Sequence, residues 1–218
     1  MAIDATGYVF PKSALDRGQI FAHDPIPIYG ERLSYFIAGP PGCGKSTTVA
    51  AIVRHFTDLP IYIFSEVKED RAFEGLKLRR VRMTKKVLEA LSLDDLTKEG
   101  SCFCIFDDID KIRDPTNAKL LQSLLDNIIA NGRSHGGAAI HVIMTCHALN
   151  DYKRTKYAQE NCNYWVFFPQ DCVYKQMENL LKKEGRENIL PAIRDEKRVF
   201  FHHAAPHFLA LSDQIVKL

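Results

Sequence analysis

Residues 33–47 read LSYFIAGPPGCGKST, and this is the most informative stretch of the chain for its fold. Its apolar run, Tyr35 to Ala38, predicts a buried strand. Lys45 then opens a predicted amphipathic helix, and the apolar residues spaced i, i+3, i+4 and i+7 on one face of that helix are Val49, Ile52, Val53 and Phe56. Between strand and helix lies G-x-x-x-x-G-K-[ST], the pattern of a phosphate-binding loop (P-loop) in its required context. The sequence therefore predicts a nucleotide-binding α/β protein.

The residue types of this loop suit a triphosphate. Glycine permits a tight turn that points successive backbone N–H groups at one anion, and the following helix adds its free donors and positive dipole end. Lys45 can reach the β- and γ-phosphates, and the Ser46 hydroxyl can ligate Mg²⁺. We therefore expect ATP and Mg²⁺ as cofactors. The predicted nucleotide-binding residues are Gly39, Pro40, Pro41, Gly42, Cys43, Gly44, Lys45, Ser46 and Thr47.

A second stretch, CFCIFDD at residues 102–108, has the composition of a buried strand that ends in two carboxylates. Ligands of open α/β sheets bind at the carboxyl ends of the strands, so this stretch predicts the second half of the nucleotide site, the Walker B element. Asp107 is expected to hold Mg²⁺ through water, and Asp108 to polarise the attacking water. The alternative is that Asp108 only caps a helix, a position that aspartate favours.

The apolar run Ala139 to Met144 predicts another strand, with Thr145, Cys146 and His147 at its C-terminal tip. We expect this strand to lie between the P-loop strand and the Walker B strand, which is the arrangement of the hydrolytic (ASCE) branch of P-loop proteins. His147 would then point at the γ-phosphate as a catalytic sensor. An exposed loop histidine is the alternative.

Residues 151–163, DYKRTKYAQENCN, interleave basic and aromatic side chains on an expected loop. Such a mixture suits nucleic acid, because cations meet the backbone and rings stack on bases. The candidate DNA contacts are Lys153, Arg154 and Lys156, together with a basic C-terminal helix that ends at Gly185. A solvated loop is the alternative.

Composition places few limits on function. Of 218 residues, 46% are hydrophobic and 26% charged, and the net charge of +2 does not mark a strongly basic nucleic-acid binder. The six cysteines lack zinc-ligand spacing, which favours a reducing compartment. No apolar stretch reaches the roughly 18 residues of a membrane span, so we expect a soluble, intracellular protein without direct membrane insertion.

The predicted organisation is a single domain over residues 1–218. A lead-in at 1–30 wraps the edge of the sheet, a nucleotide-binding core spans 33–168, and a C-terminal helix and β-hairpin occupy 171–218. The expected fold is a three-layer αβα arrangement around a mostly parallel sheet. The hairpin, over RVFFHHAAPHFLAL at residues 198–211, is expected at the sheet edge with its turn near Ala205.

The order of these motifs resembles the FtsK–HerA superfamily of DNA-translocating ATPases, most of all the genome-packaging ATPases of large and icosahedral DNA viruses. The resemblance covers roughly residues 33–168, and its most specific part is GRSHGGAAIHVIMTCH at residues 132–147. It implies a RecA-like fold and ATP hydrolysis that drives double-stranded DNA into a capsid. The implied partners are the DNA, a capsid or portal component, and further copies of the chain in a hexameric or pentameric ring. Host cytoplasm or virion is the implied location.

The resemblance also assigns roles to single residues. Arg133 matches the arginine finger that a subunit supplies in trans to its neighbour. Members usually carry Gln at the strand tip, where this chain has His147. They often have Glu as the second Walker B acid, where this chain has Asp108.

Three other functions stay open on the sequence alone. A P-loop phosphotransferase such as a nucleotide kinase would need an arginine-bearing lid, for which Arg79 and Arg80 are the candidates. A non-enzymatic assembly factor would use nucleotide only to set ring formation. A cellular DNA-segregation or conjugation ATPase would normally carry extra domains or membrane helices.

Overall fold

The computed structural model describes residues 32–133, 135–149, 155–169, 174–183, 185, 187, 190–195 and 198–202, together with the short strands at residues 2–3, 9–10, 21–22, 208–211 and 214–217. The strands are β1 (Ala2–Ile3), β2 (Val9–Phe10), β3 (Phe21–Ala22), β4 (Ser34–Ala38), β5 (Ile61–Phe64), β6 (Leu78–Arg80), β7 (Cys102–Phe106), β8 (Ile140–Cys146), β9 (Tyr164–Phe167), β10 (Val199–His202), β11 (Phe208–Leu211) and β12 (Gln214–Lys217). The helices are α1 (Lys45–Val53), α2 (Lys85–Ala90), α3 (Leu93–Thr97), α4 (Pro115–Asn131), α5 (Lys156–Asn161), α6 (Tyr174–Lys183) and α7 (Leu190–Ile193).

The central sheet runs in the order β3-β12-β11-β10-β9-β4-β8-β7-β5-β6, and its six strands from β9 to β6 are parallel. As predicted, β8 lies between the P-loop strand β4 and the Walker B strand β7. The register pairs Ala38 with Cys146 and Phe106 with Met144. The carboxyl ends of the three strands therefore meet at one edge of the sheet.

Helices cover both faces of the parallel strands, which confirms the three-layer prediction. Alternate residues of each strand enter opposite cores: Phe36 and Phe106 pack on the side of α4, whereas Tyr35 and Ile105 pack on the side of α1. Strands buried on both faces have near-continuous apolar sequences. This is why the apolar runs located them correctly.

Helix α4 is defined at both ends by local chemistry. Asp114 caps it by accepting the backbone N–H of Asn117 at 2.7 Å, and Pro115 occupies its first turn. At the other end, Arg32 donates to the carbonyl of Ile129 at 2.8 Å, which satisfies a carbonyl of the last turn. The buried face of α4 carries Leu121, Leu124, Leu125 and Ile128, as predicted.

Three features differ from the sequence predictions. The hairpin β10–β11 forms, but β12 and β3 continue the sheet beyond it, so the prediction that it lies at the edge is wrong. Residues 156–161 form helix α5, not a loop. The charged stretch after β5 contains the unpredicted three-residue strand β6, which pairs with β5 on one side only. The expected turn near Ala205 and most of the lead-in lie outside the described residues.

Candidate nucleotide-binding and hydrolysis site

The P-loop follows β4 and turns sharply at its glycines. Gly39 allows a close approach, because a Cβ there would lie 2.5 Å from Cys43 Sγ and 2.8 Å from the Phe168 ring. Gly44 has a φ of 103°, a conformation that side chains rarely adopt. It leads directly into α1, so that the free N–H groups of the first turn open onto the strand tips.

Lys45 lies within this turn and is only 7% exposed. Its ammonium donates to the carbonyls of Gly39 at 2.9 Å and Pro40 at 3.3 Å. The same nitrogen lies 3.7 Å from Oδ1 of Asp108, at the end of the Walker B strand. The structure thus places the predicted P-loop cation and the predicted second acid in one cleft.

Asp107 is held by two hydroxyl groups. Ser65, at the end of β5, donates to Oδ2 at 2.9 Å, and Thr145 donates to Oδ1 at 3.0 Å. Burial raises the pKa of Asp107, and the neighbouring charge of Asp108 raises it further, while the two hydrogen bonds oppose both effects. This is a desolvated carboxylate, 5% exposed, that a bound cation would stabilise.

Asp108 has a φ of 47°, which makes it the one non-glycine residue with positive φ in the described part of the chain. Its backbone N–H donates to the Thr145 hydroxyl at 2.7 Å. It precedes a short 3₁₀ helix at Ile109–Lys111, yet its side chain makes no capping hydrogen bond there. The capping alternative is therefore wrong. An unfavourable backbone conformation of this kind is typical of functional sites.

His147 follows β8 and lies between two carboxylates. Its Nε2 is 3.6 Å from Asp108 Oδ2, and its Nδ1 is 3.5 Å from Asp110 Oδ1. The backbone N–H of His147 also meets both oxygens of Asp110 at 3.2 Å. The imidazole is 16% exposed, so the alternative of an exposed loop histidine is wrong.

Sequence reasoning missed three contributors to this cluster, namely Ser65, Asp110 and the bridging role of Thr145. Ser65 and Thr145 could have been found, because each is a polar residue at or just beyond the carboxyl end of a strand next to β7. Asp110 could not, since its contact with His147 depends on how the chain turns after Asp108.

Arg133 lies just beyond α4, at the edge of the sheet opposite the P-loop. A helix of 17 residues is about 25 Å long, which separates this exposed arginine from its own Asp108. Within one chain it does not join the site.

Only some of the residues predicted to contact DNA are among the described residues. Lys153 and Arg154 lie outside the described residues. Lys156 is on α5, and its ammonium is 3.9 Å from Glu160. On α6, Lys175 and Lys182 each contact Glu178, at 2.9 and 2.8 Å. Much of the predicted basic surface is therefore matched by acidic groups.

The structure does not support the kinase alternative, because the two arginines proposed as its lid make other contacts. Arg79 makes a bidentate ion pair with Glu99, at 2.6 and 2.7 Å, and Arg80 donates to the carbonyl of Val67 at 2.6 Å. Both belong to the edge strand β6.

Two solved structures share this fold at low sequence identity. The genome packaging NTPase B204 from Sulfolobus turreted icosahedral virus 2, in complex with AMPPCP, matches with a TM-score of 0.55 and 10% identity, over 83% of this chain and 96% of that one. The pCW3 conjugation coupling protein TcpA, with ATPγS, matches with a TM-score of 0.52 and 13% identity, over 91% of this chain and 64% of that one. These two structures thus confirm the fold that the resemblance implied.

Sequence comparison adds a relative and a family. Uncharacterized protein V3 of Sputnik virophage is 26% identical over 186 residues, covering 76% of this chain and 73% of that protein. No helix among the described residues is long and apolar enough to cross a membrane. The model of the ATPase family associated with various cellular activities (AAA) matches residues 35–166, more than half of the chain. The chain therefore belongs to this family and is a P-loop ATPase.

Proposed function

We propose that this ATPase works as a ring with Mg²⁺ and uses ATP hydrolysis to move double-stranded viral DNA into a capsid. The observation that carries the hydrolytic part is the 3.7 Å approach of Lys45 to Asp108 across the strand tips. A P-loop cation beside the second Walker B acid suits attack by water on a γ-phosphate. Packaging as the task is supported by the fold shared with B204 and by the sequence resemblance to packaging ATPases.

The residues fit a magnesium ion. Asp107 is a buried carboxylate beside a second acid, and Ser46 lies in the first turn of α1, so both would supply the oxygen ligands that Mg²⁺ prefers. Among the described residues, no three His, Cys, Asp or Glu side chains form a metal cage. The ion would thus depend on phosphate oxygens and water for its other ligands. When bound, it offsets the charge on the β- and γ-phosphates.

The residues of the chain then have distinct tasks. The P-loop amides and Lys45 bind and orient the phosphates, and Asp108 orients the attacking water. His147, at the tip of the neighbouring strand β8, faces the γ-phosphate. These roles agree with the cluster, in which Thr145 positions the two Walker B acids from β8.

A ring explains the position of Arg133. An exposed arginine separated from its own Asp108 by a helix about 25 Å long can still meet the phosphates bound by the next subunit, because heterologous contacts that close make a ring. Supplied in trans, such a finger is worth about 10³ in rate or more. For DNA, Lys153, Arg154 and Lys156 are the proposed phosphate contacts, without sequence preference.

A second candidate is a cellular DNA-segregation or conjugation-type ATPase, which the fold shared with TcpA favours. This chain spans 64% of TcpA, so the likeness concerns only part of that protein. Both candidates predict stimulation by DNA, and they differ in the partner. Binding to empty capsids or portal supports packaging.

The test is phosphate release by the purified protein with and without double-stranded DNA, alongside its mass in solution. We expect a ring whose hydrolysis DNA stimulates, and loss of hydrolysis in Asp108→Asn. The matched control is Asp114→Asn, since asparagine also caps helices well. Transfer of phosphate to a nucleotide acceptor would indicate a kinase instead. Unchanged turnover in Asp108→Asn, with ATP altering only the mass, would indicate an assembly factor.

A further inference from the structure

The loop between α4 and β8, residues 132–139 (the Arg133 loop), has a closed backbone. Ile140 donates its N–H to the carbonyl of the first loop residue at 2.8 Å, so the two ends of the loop meet. At the tip, His135 and Ala138 exchange two backbone hydrogen bonds, at 2.8 and 3.0 Å. The exposed side chain of Arg133 therefore extends from a backbone of defined shape.

Arg32 joins the two elements that the Arg133 loop connects. Its Nε donates to the carbonyl of Ile140 at 3.0 Å, and its Nη1 donates to the carbonyl of Ile129 at 2.8 Å. Ile140 begins β8 and Ile129 lies in the last turn of α4, so one guanidinium holds both ends of the loop. A guanidinium presents its donors in a rigid plane, which fixes the two carbonyls relative to each other.

A second side-chain contact holds the tip of the loop, and it is weaker. Nε2 of His135 lies 2.8 Å from Oδ1 of Asp94 on α3, but the side chain of Asp94 is 89% exposed. A pair as exposed as this contributes little, because water competes for both partners. The two hydrogen bonds of Arg32 are partly buried and come from a charged donor, which makes them stronger than ordinary ones. Of these two restraints on the loop, Arg32 is the stronger.

The position of Arg32 is unfavourable in an isolated chain. Burial lowers the pKa of Arg32, and the nearby charge of Arg133 lowers it further. Among the described residues, no acceptor meets its Nη2, which is buried. A neutral side-chain donor could hold a carbonyl of the loop without this repulsion. A triphosphate bound by the next subunit would offset the repulsion between the two arginines, so the second cation suits a task in the ring.

We propose that Arg32 is a positioning residue that fixes where Arg133 reaches into the nucleotide site of the next subunit. Arg32 itself does not contact the phosphates, and it acts through the Arg133 loop. A cation stabilises a developing charge best when it is held in place before the reaction, and a misplacement of about 1 Å can cost about 10² in rate. This inference rests on the proposed ring and adds a second arginine to its machinery.

Arg32→Lys tests the positioning role, because it keeps the charge and loses the planar fork. One ammonium on a flexible stem does not hold both carbonyls in a fixed geometry. We expect kcat of the ring to fall about tenfold or more, with the Kd for AMPPCP unchanged, since each chain keeps its own P-loop. Arg54→Lys is the matched control and should leave kcat unchanged, because Arg54 also donates to a backbone carbonyl, that of Ala72 at 3.3 Å. An unchanged kcat in Arg32→Lys would overturn the proposal.

Mixed rings separate a positioning role from a general loss of stability. Lys45→Ala lacks ATP binding but keeps both arginines, so an equal mixture with Arg32→Lys should regain activity at about a quarter of the sites. A mixture of Arg32→Lys with Arg133→Ala should not rise above the mean of its components, because neither chain supplies a well-placed arginine finger. If the first mixture regains nothing although Lys45→Ala with Arg133→Ala does, Arg32 is only structural and the proposal is overturned.

Failure of both mixtures that contain Lys45→Ala would count against the proposed ring, and with it against this inference. If Arg32→Lys does not fold, Arg32→Gln replaces it in every experiment, because a neutral amide can still donate to one of the carbonyls and buries no charge. Phosphate release measures every variant and every mixture after the subunits have exchanged. The mass in solution shows that the rings are intact.

Discussion

The hydroxyl of Thr145 lies 2.7 Å from the backbone nitrogen of Asp108 and accepts its hydrogen bond. The same hydroxyl donates to Asp107 at 3.0 Å. One side chain on β8 therefore positions both acids of the neighbouring strand. Strand β8 thus helps to hold the proposed hydrolytic site, besides lying between β4 and β7.

Thr145→Val should impair hydrolysis more than nucleotide binding. The substitution keeps the shape of the side chain but leaves the Asp108 N–H without its partner, which costs about 1–3 kcal/mol of stability. It also removes a restraint on the positive φ of Asp108. We expect a fall in kcat of about tenfold or more, with a smaller change in the Kd of AMPPCP. Steady-state phosphate release and urea unfolding measure the two effects.

Thr145→Ser is the matched control, because it retains the hydroxyl and loses only a methyl group. It should hydrolyse ATP at close to the wild-type rate. If the serine variant were as slow as the valine variant, packing of the methyl group, and not the hydrogen bond, would be what matters at this position.

Asp107→Asn should stabilise the nucleotide-free protein at neutral pH while abolishing hydrolysis. Burial raises the pKa of Asp107, so the folded chain binds this proton more tightly than the unfolded chain does. Ionisation therefore costs stability as the pH rises through that pKa. The asparagine variant should have the higher melting temperature at pH 7, and the gap should close as the pH falls.

Bound Mg²⁺ and nucleotide should make the wild type melt at a higher temperature than the asparagine variant. Ligands that bind only the folded state raise its stability, and the wild type alone retains the carboxylate for the cation. Melting curves at pH 7 with and without Mg²⁺ and AMPPCP measure this. An asparagine variant that melts below the wild type without ligand would show that the two hydroxyl bonds outweigh the burial of the charge.

His141 gives the fold a second pH dependence, remote from the strand tips. Its Nδ1 accepts the Leu33 N–H at 3.0 Å, and its ring stacks against Phe103. Burial, aided by the charge of Arg32, lowers the pKa of His141 to about 4. The unfolded chain binds a proton near pH 6.5 and the folded chain only near pH 4, so stability falls as the pH drops through this window.

His141→Asn should flatten that dependence, because the amide oxygen can replace Nδ1 as acceptor without titrating. The variant should be less stable than the wild type at pH 7, since it loses the ring contacts. Between pH 7 and pH 5 the wild type should lose on the order of 1 kcal/mol more than the variant, after allowance for partial solvent screening. Urea unfolding at the two pH values measures it, and parallel losses would contradict the role of His141.

The parts of the fold that the sequence predicts are those determined locally. Strands β4, β5, β7, β8 and β9 are mostly apolar because both of their faces are covered, so the sequence shows each of them as an apolar run. Strand β6 has three residues in a charged stretch and forms only because β5 offers an unpaired edge. Strand β12 likewise depends on the hairpin beside it. The sequence alone does not show that β5 will pair with β6, or the hairpin with β12, because these pairings depend on the assembled sheet.

The residues of the candidate site also fall into two groups, those that the sequence predicts and those that only the structure shows. Lys45, Asp107 and Asp108 follow from motif and strand end, and His147 from the tip of an apolar run. Asp110 needed the structure, because the positive φ of Asp108 turns the chain and brings Asp110 back to His147. A left-handed aspartate cannot be inferred from residue type alone.

The ring and its arginine finger can be tested by mixing two inactive variants. Lys45→Ala should lose ATP binding but keep Arg133, and Arg133→Ala should bind AMPPCP yet hydrolyse ATP slowly, by about 10³. If Arg133 acts in trans, an equal mixture should regain activity, because some intact P-loops then face an intact arginine on the next subunit. Random assembly of such a ring restores about a quarter of the sites.

Phosphate release by the mixture, measured after the subunits have exchanged, is the deciding quantity. Lys119→Ala is the matched control for the arginine, because Lys119 is another exposed cation, on α4, and it should leave activity unchanged. A mixture no more active than its components, from a protein whose mass shows a ring, would mean that Arg133 does not complete its neighbour's site. Because α4 places Arg133 at the opposite end of the sheet from its own Asp108, any part that Arg133 takes in hydrolysis has to be in a neighbouring subunit's site.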